Sequence, residues 1–210
     1  MSKLRIVEQD IILLSYDEPN AEKNYTDLCQ KIPWAKRVHG VKGSDAAHKA
    51  CADISETDHF VTIDGDNRID PNFLIQEIDL DSLGLTHDHV FSWCGKIHVN
   101  GLMYGNGGIK LWNKKFVNNM KTHEASDPSD DRSLVEFCFD DLYYQFNTNF
   151  STSYTNASPF QAFRAGFREG VKMSLNQGAK TNNIKTISST NKTTLNILFF
   201  LFFYPPPPPH

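Results

Sequence analysis

Cysteine is scarce in this chain and never clustered. Cys29, Cys51, Cys94 and Cys138 stand far apart, and no Cys-x-x-Cys occurs. That spacing argues against a zinc knot and a disulfide framework, and it leaves four small reduced thiols of a type usually buried. Positive charge is not in excess, since the net charge is −4. Without a basic stripe to follow a phosphate backbone, sequence-independent nucleic-acid binding drops out of the candidate functions. The opening residues Met1-Ser2-Lys3-Leu4-Arg5 carry no apolar leader, so the expected location is cytoplasmic. The longest apolar run, 195–204, is about half the ~20 residues that a membrane-spanning helix needs. The first expected strand is followed by Asp17-Glu18-Pro19-Asn20 and not by Gly-x-Gly-x-x-Gly, so a dinucleotide fingerprint is missing too. Asn24-Tyr25-Thr26 and Asn149-Phe150-Ser151 fit the glycosylation sequon, which has meaning only for a secreted chain.

With 210 residues, the chain is long enough for one domain with a real core. The composition breaks near Lys180. Residues 181–194 are rich in Thr, Asn, Ser and Lys without periodicity, and the Phe-rich run that follows ends in five prolines and His210. Residues 1–179 are therefore expected to fold, with 180–210 as a disordered or aberrant tail.

Within the folded part, Asp10–Tyr16 is a continuous apolar run of the kind buried in a parallel sheet. A helix is expected over 21–32, with Tyr25, Leu28, Cys29 and Ile32 on one face, and Pro33-Trp34 ends it. A short strand over 35–41 follows. Ser44 or Asp45 caps a second helix reaching Ile54. A third strand over 59–63 ends in Asp64-Gly65-Asp66. Strand–helix–strand–helix–strand implies right-handed crossovers, a parallel α/β sheet and ligands at the carboxyl ends of its strands. Two carboxylates separated by glycine at such an end suit a hard divalent cation, which Mg²⁺-type sites share with substrate phosphates. Further on, a strand is expected over 90–99 and a glycine-rich stretch over 101–108. A segment from Lys110 runs into a helix through Asn119, a helix starts near Leu142, and an amphipathic helix spans 159–175.

The chain resembles the nucleotide-sugar glycosyltransferases of the GT-A fold, in the family 2 pattern, from about Asp10 to Leu175. The likeness rests on Ile12-Leu-Leu-Ser-Tyr-Asp-Glu-Pro-Asn20, on Asp58-His-Phe-Val-Thr-Ile-Asp-Gly-Asp66 with Pro71 and Leu74, and on Gly105-Asn-Gly-Gly108. It rests also on Asp140-Asp141 and on Gln161-Ala-Phe-Arg164 with Gly166-Phe167-Arg168. The resemblance implies a Rossmann-like, mostly parallel sheet flanked by helices, with a nucleotide-binding half over 9–100 and an acceptor half over 101–179. It implies a metal-dependent, inverting transferase that moves a sugar from a nucleotide-diphosphate donor to an acceptor hydroxyl. Asp64 and Asp66 would hold Mn²⁺ or Mg²⁺. Tyr16, Asp17, Glu18, Lys42, Asp64, Gly107, Gly108, Gln161 and Arg164 would bind substrate, with Arg168 a further cation. Asp141, or Asp140, would be the catalytic base, and His123 is a possible extra metal ligand. Two features depart from the pattern: Val38-His39-Gly40-Val41-Lys42-Gly43 replaces an Asp-rich uridine turn, and Lys49 stands near a usual Asn. The alternatives are a nucleotidyltransferase, or an inactive carbohydrate- or nucleotide-binding remnant of the same fold.

Overall fold

The computed structural model describes residues 2–105, 107–120, 122, 137–173, 175–176 and 179–180. The chain divides into two compact units, one of residues 1–120 with 140–154 and one of 121–139 with 155–210. The tail over 181–210 and His123 lie outside the described residues.

The first unit is built on β2 (Asp10–Ser15), α1 (Ala21–Lys31), β3 (Lys36–His39), α2 (Ser44–Ile54) and β4 (His59–Asp64), in the order expected. A short β1 (Lys3–Arg5) pairs with β6 (Glu77–Asp79), ahead of a one-turn α3 (Leu80–Leu83). The main sheet is completed by β5 (Asn67–Ile69), β7 (Val90–Ile97), β8 (Met103–Tyr104), β9 (Ile109–Asn113) and β10 (Tyr143–Ser153). Helix α4 (Lys114–Asn119) follows β9. The sheet order is β3-β2-β4-β9-β7-β10-β5, with β8 on the side of β7.

The pairs β3–β2, β2–β4 and β7–β10 are parallel, while β4–β9, β9–β7 and β10–β5 are antiparallel. The fold class is α/β as expected, and the sheet is mixed: five strands run one way, while β5, β8 and β9 run against them. Parallel neighbours need long crossovers, which α1 and α2 provide, whereas β9 is reached from β7 without a helix. Two expectations change. Residues 109–113 form a strand before the helix, and 143–153 form an eleven-residue strand where a helix was expected to begin. Tyr143, Tyr144 and Phe146 are residues that suit a pleated, half-buried surface.

Alternation sorts the side chains onto two faces. Ile11, Leu13, Val61, Ile63, Phe91, Trp93, Ile109 and Leu111 meet Leu28 of α1, Ile32 just after that helix, and Phe73 in one buried cluster. On the other face Trp112 meets His48 of α2 with ring centroids 5.0 Å apart and donates its indole N–H to Thr62 Oγ1 at 2.7 Å. Helices therefore cover both faces. Strands β2, β3, β4, β7 and β10 run the same way, so their carboxyl ends share one edge.

The second unit contains α5 (Pro159–Met173) and the short strands β11 (Leu175–Asn176) and β12 (Ala179–Lys180), which pair antiparallel. Among the described residues no helix is long and apolar enough to cross a membrane.

Candidate functional site

The chain runs from β2 out to β3 and returns across β2 to β4. The loops leaving β2 and β4 head in opposite directions, and a crevice at such a point is where open α/β sheets bind ligands. Tyr16, Asp17 and Glu18 follow β2, Lys42 lies in the loop after β3, and Asp64-Gly65-Asp66 closes β4. Tyr16, Asp17 and Lys42 are exposed; Glu18, Asp64 and Asp66 are half-buried.

Gly65 explains why the β2 and β4 loops touch. A Cβ at this position would stand 2.7 Å from Ser15 Cβ and 2.9 Å from Glu18 Oε2. Only glycine lets the two backbones meet. Glu18 Oε2 also accepts from the Tyr16 amide at 2.8 Å, which folds the first loop back on itself. Beneath them Asn24 of α1, fully buried, donates to the Gly65 carbonyl at 2.9 Å and accepts from Arg68 Nε at 2.9 Å. Asp66 Oδ1 accepts from Asn67 Nδ2 at 2.7 Å, and the Asp66 carbonyl accepts from the Tyr154 amide at 2.8 Å.

The glycine pair after β8 seats Asp64 from the other side. The Gly108 carbonyl accepts the Asp64 amide at 2.9 Å, and the Gly107 carbonyl accepts Lys110 Nζ at 2.9 Å. A Cβ on Gly107 would lie 2.5 Å from Gly95 N, and one on Gly108 would lie 2.3 Å from Asn67 Nδ2. These glycines are required by close packing against β7 and Asn67. Each of their carbonyls already accepts one hydrogen bond within the protein. Asn67 Oδ1, beside Gly108, is buried with no hydrogen-bond partner.

Electrostatics tie Asp64 to the α2 face. Burial, and then the charge of Asp64, pushes the Cys51 thiol up to about 12. Burial lowers the pKa of His48, against the opposing pull of the Ser44 carbonyl it bonds at 2.7 Å and of Asp64. The buried Lys110 stands on the same face. Among the described residues no three His, Cys, Asp or Glu side chains gather to hold a metal ion. The donor set near Asp64 and Asp66 fits a hard cation that keeps most of its positions for water and phosphate, and does not fit an all-protein metal cage.

Sequence reading missed a network at the ends of β2 and β3. Arg37 Nε donates to the buried Ser15 Oγ at 3.0 Å, and its other nitrogens reach Glu22 at 2.6 Å and His39 Nδ1 at 3.2 Å. Arginine only donates, so His39 Nδ1 is an acceptor, and Ser15 Oγ donates to it at 2.9 Å. The Arg37 guanidinium also covers the Tyr25 ring at 5.1 Å. The signal was present as three polar residues at the ends of two adjacent strands, but their meeting depended on the β2–β3 register. His98, at the carboxyl end of β7, was missed too. Its ring lies 4.3 Å from that of Tyr154, the residue whose amide binds Asp66.

Asp140 and Asp141 are not part of this edge. They precede β10, which runs parallel to β7 and meets Asn67 only at its far end, Ser153. A strand of this length sets the pair on the order of 30 Å from Asp66. Both are exposed, and Asp140 Oδ1 accepts the Leu142 amide at 2.9 Å in a turn that starts the strand. The pair thus lies at the amino end of β10, away from the Asp64-Gly65-Asp66 turn. Gln161 and Arg164 belong to the second unit. Gln161 Oε1 accepts the Ala157 amide at 2.9 Å, and its own amide donates to Ser158 Oγ at 3.1 Å. With Pro159 at the first helical position, Ser-Pro-Phe-Gln is a helix-capping sequence, which accounts for the buried Gln161 without a substrate.

No protein-family model matches the chain, and no curated protein matches it. Among solved structures it is similar to a glycosyltransferase involved in the glycosylation of the major capsid of PBCV-1, at 15% identity and a TM-score of 0.39, over 76% of this chain and 99% of that one. It is also similar to HddC from Yersinia pseudotuberculosis, at 15% identity and a TM-score of 0.32, over 74% and 76%. A third is the inositol-1-phosphate CTP transferase from T. maritima, at 12% identity and a TM-score of 0.32, over 90% and 76%. These likenesses are distant.

Proposed function

We propose that this chain is a metal-dependent glycosyltransferase that takes a sugar from a nucleotide-diphosphate donor. The supporting observation is the contact between the β2 and β4 loops at Gly65, which sets the Asp64-Gly65-Asp66 turn against Ser15 and Glu18 at the carboxyl ends of two parallel strands. Asp66, helped by Asp64, would hold Mn²⁺ or Mg²⁺. Such an ion, when bound, supplies Lewis acidity to the leaving diphosphate. Asp17, Glu18 and the neighbouring His39 face the nucleoside end, and Lys42 supplies positive charge for phosphate. Since the base must share the edge with Asp66, we assign acceptor deprotonation to His98 in place of Asp140 and Asp141. Imidazole is the commonest general base, and His98 is exposed one ring away from the Asp66 loop.

Hydrolysis of a panel of nucleotide sugars, with and without Mn²⁺, tests the reading. Metal-dependent release of nucleotide diphosphate is expected. Release of pyrophosphate from a nucleoside triphosphate and a sugar phosphate would instead mark nucleotidyl transfer, and no turnover of either set would mark a binding remnant.

A further inference from the structure

A second site lies on the flank of the first unit, where the carboxyl half of α1 faces β5 and the end of β10. It is a groove of about 390 Å³ whose lining includes Lys31, Arg68, Asp70, Asn149, Ser151 and Thr152. Three features set it apart from ordinary surface.

Arg68 is half-buried and held in place. Its Nε donates to Asn24 Oδ1, and its guanidinium lies over the Tyr154 ring at 4.8 Å. Among the described residues its two terminal nitrogens make no hydrogen bond, and no carboxylate lies within ion-pair distance of it. A planar fork with fixed orientation and unused donors matches a carboxylate or a phosphate. The second cation, Lys31, is already matched by Asp27 at 2.6 Å and the Ile69 carbonyl at 3.0 Å, so Asp27 carries little free negative charge into the groove. Asp70 accepts the Asn72 amide at 2.9 Å as the cap of its own turn. With Asp27, Lys31 and Asp70 the charges of the lining cancel, so what Arg68 offers is an oriented fork with two unused donor nitrogens.

The third feature is Ser151. It is only 3% exposed, it lines this groove, and its Oγ has no partner. A buried hydroxyl without a partner carries a desolvation cost that an arriving polar group removes. Asn149 and Thr152 add an amide and a hydroxyl to the same wall. Such mixed short-range donors and acceptors suit vicinal hydroxyl groups.

We propose that this groove binds a small polyhydroxylated molecule bearing one oxyanion, with the oxyanion on Arg68 and its hydroxyls on Ser151, Thr152 and Asn149. The proposal does not rest on the transferase reading, since neither Asp64 nor Asp66 lines the groove. A sugar phosphate and a sugar carboxylate share this chemistry, and the experiment separates them.

The test is calorimetric titration of the full chain with glucose 1-phosphate, glucuronate, inorganic phosphate and glucose, all in EDTA. One of the two sugar anions is expected to bind at least tenfold more tightly than glucose and than inorganic phosphate. Arg68→Gln is expected to weaken that anion at least tenfold, and Ser151→Ala several-fold, while Asp66→Asn leaves it unchanged. Should Arg68→Gln fail to fold, Arg68→Lys, which keeps the charge and loses the fork, should weaken binding in the same direction. Equal affinity for glucose and both anions, affinity untouched by the Arg68 variants, or loss of binding in Asp66→Asn would each overturn the assignment.

Discussion

The side-chain amide of Asn24 holds the carbonyl of Gly65 at 2.9 Å. One buried residue on α1 thus fixes the turn between the two carboxylates, and its other end holds Arg68 Nε at 2.9 Å. Asn24→Ala leaves a carbonyl and a guanidinium N–H without partners in a dry place. The expected loss is about 1–3 kcal/mol for each uncompensated group, read as a lower midpoint in urea unfolding. Asn24→Asp keeps the acceptor for Arg68 and loses the donor to Gly65. It should fall between Ala and the natural residue in stability, and donor affinity should drop in both variants.

Metal and donor binding should be one event. With only two protein carboxylates at the strand end, the ion depends on substrate phosphate for its remaining ligands. Asp66→Ala should abolish nucleotide-sugar binding in Mn²⁺ while leaving thermal stability close to that of the natural chain. Equal calorimetric affinity for the donor in EDTA and in Mn²⁺ would sink the two-carboxylate reading.

Much of the first unit was legible because its signals are local. The continuous apolar runs at 10–16 and 59–63, the capped helices between them and the Asp-Gly-Asp at a strand end each sit within a few residues. They gave β2, α1, β3, α2 and β4 close to their observed bounds. What was not legible depended on register and sheet order. Asn24 read as part of a sequon, whereas it is buried and bonded to a loop 41 residues away. Gly107 read as a place for a ligand, but the atoms that exclude a side chain there belong to β7. Asp140 and Asp141 looked catalytic from their place in the sequence, and the direction of β10 carries them to the opposite edge.

Stability should fall in mild acid through histidine. His59 is 6% exposed, its Nε2 donates to the His87 carbonyl at 2.7 Å, and burial lowers its pKa from the ordinary 6.5. The unfolded chain then takes up the proton first as pH drops. The stabilisation is complete above about 6.5 and is lost as pH falls from there toward the lowered value in the folded state. His48 is shifted the same way and adds to the effect. His59→Gln retains an N–H donor and does not titrate. Its melting temperature should depend less steeply on pH than that of the natural chain between about 7 and 5. An unchanged slope would remove His59 as a source.

The base can be separated from its rival by position alone. In a displacement at the anomeric carbon the acceptor hydroxyl loses its proton at the edge where the donor sugar lies, and that edge is set by Asp66. Asp140 and Asp141 sit at the amino end of β10, while His98 sits at the carboxyl end of β7 and accompanies Tyr154. His98→Gln should cost ~10²–10⁴ in turnover, the usual contribution of a positioned base, with donor affinity nearly unchanged. Asp140→Asn and Asp141→Asn should each keep close to full turnover, with Asp140→Asn slightly less stable because its carboxylate caps the turn into β10. A large loss of turnover in either Asn variant, with His98→Gln unaffected, would return the base to the acidic pair and would require the acceptor to bridge the full length of the sheet.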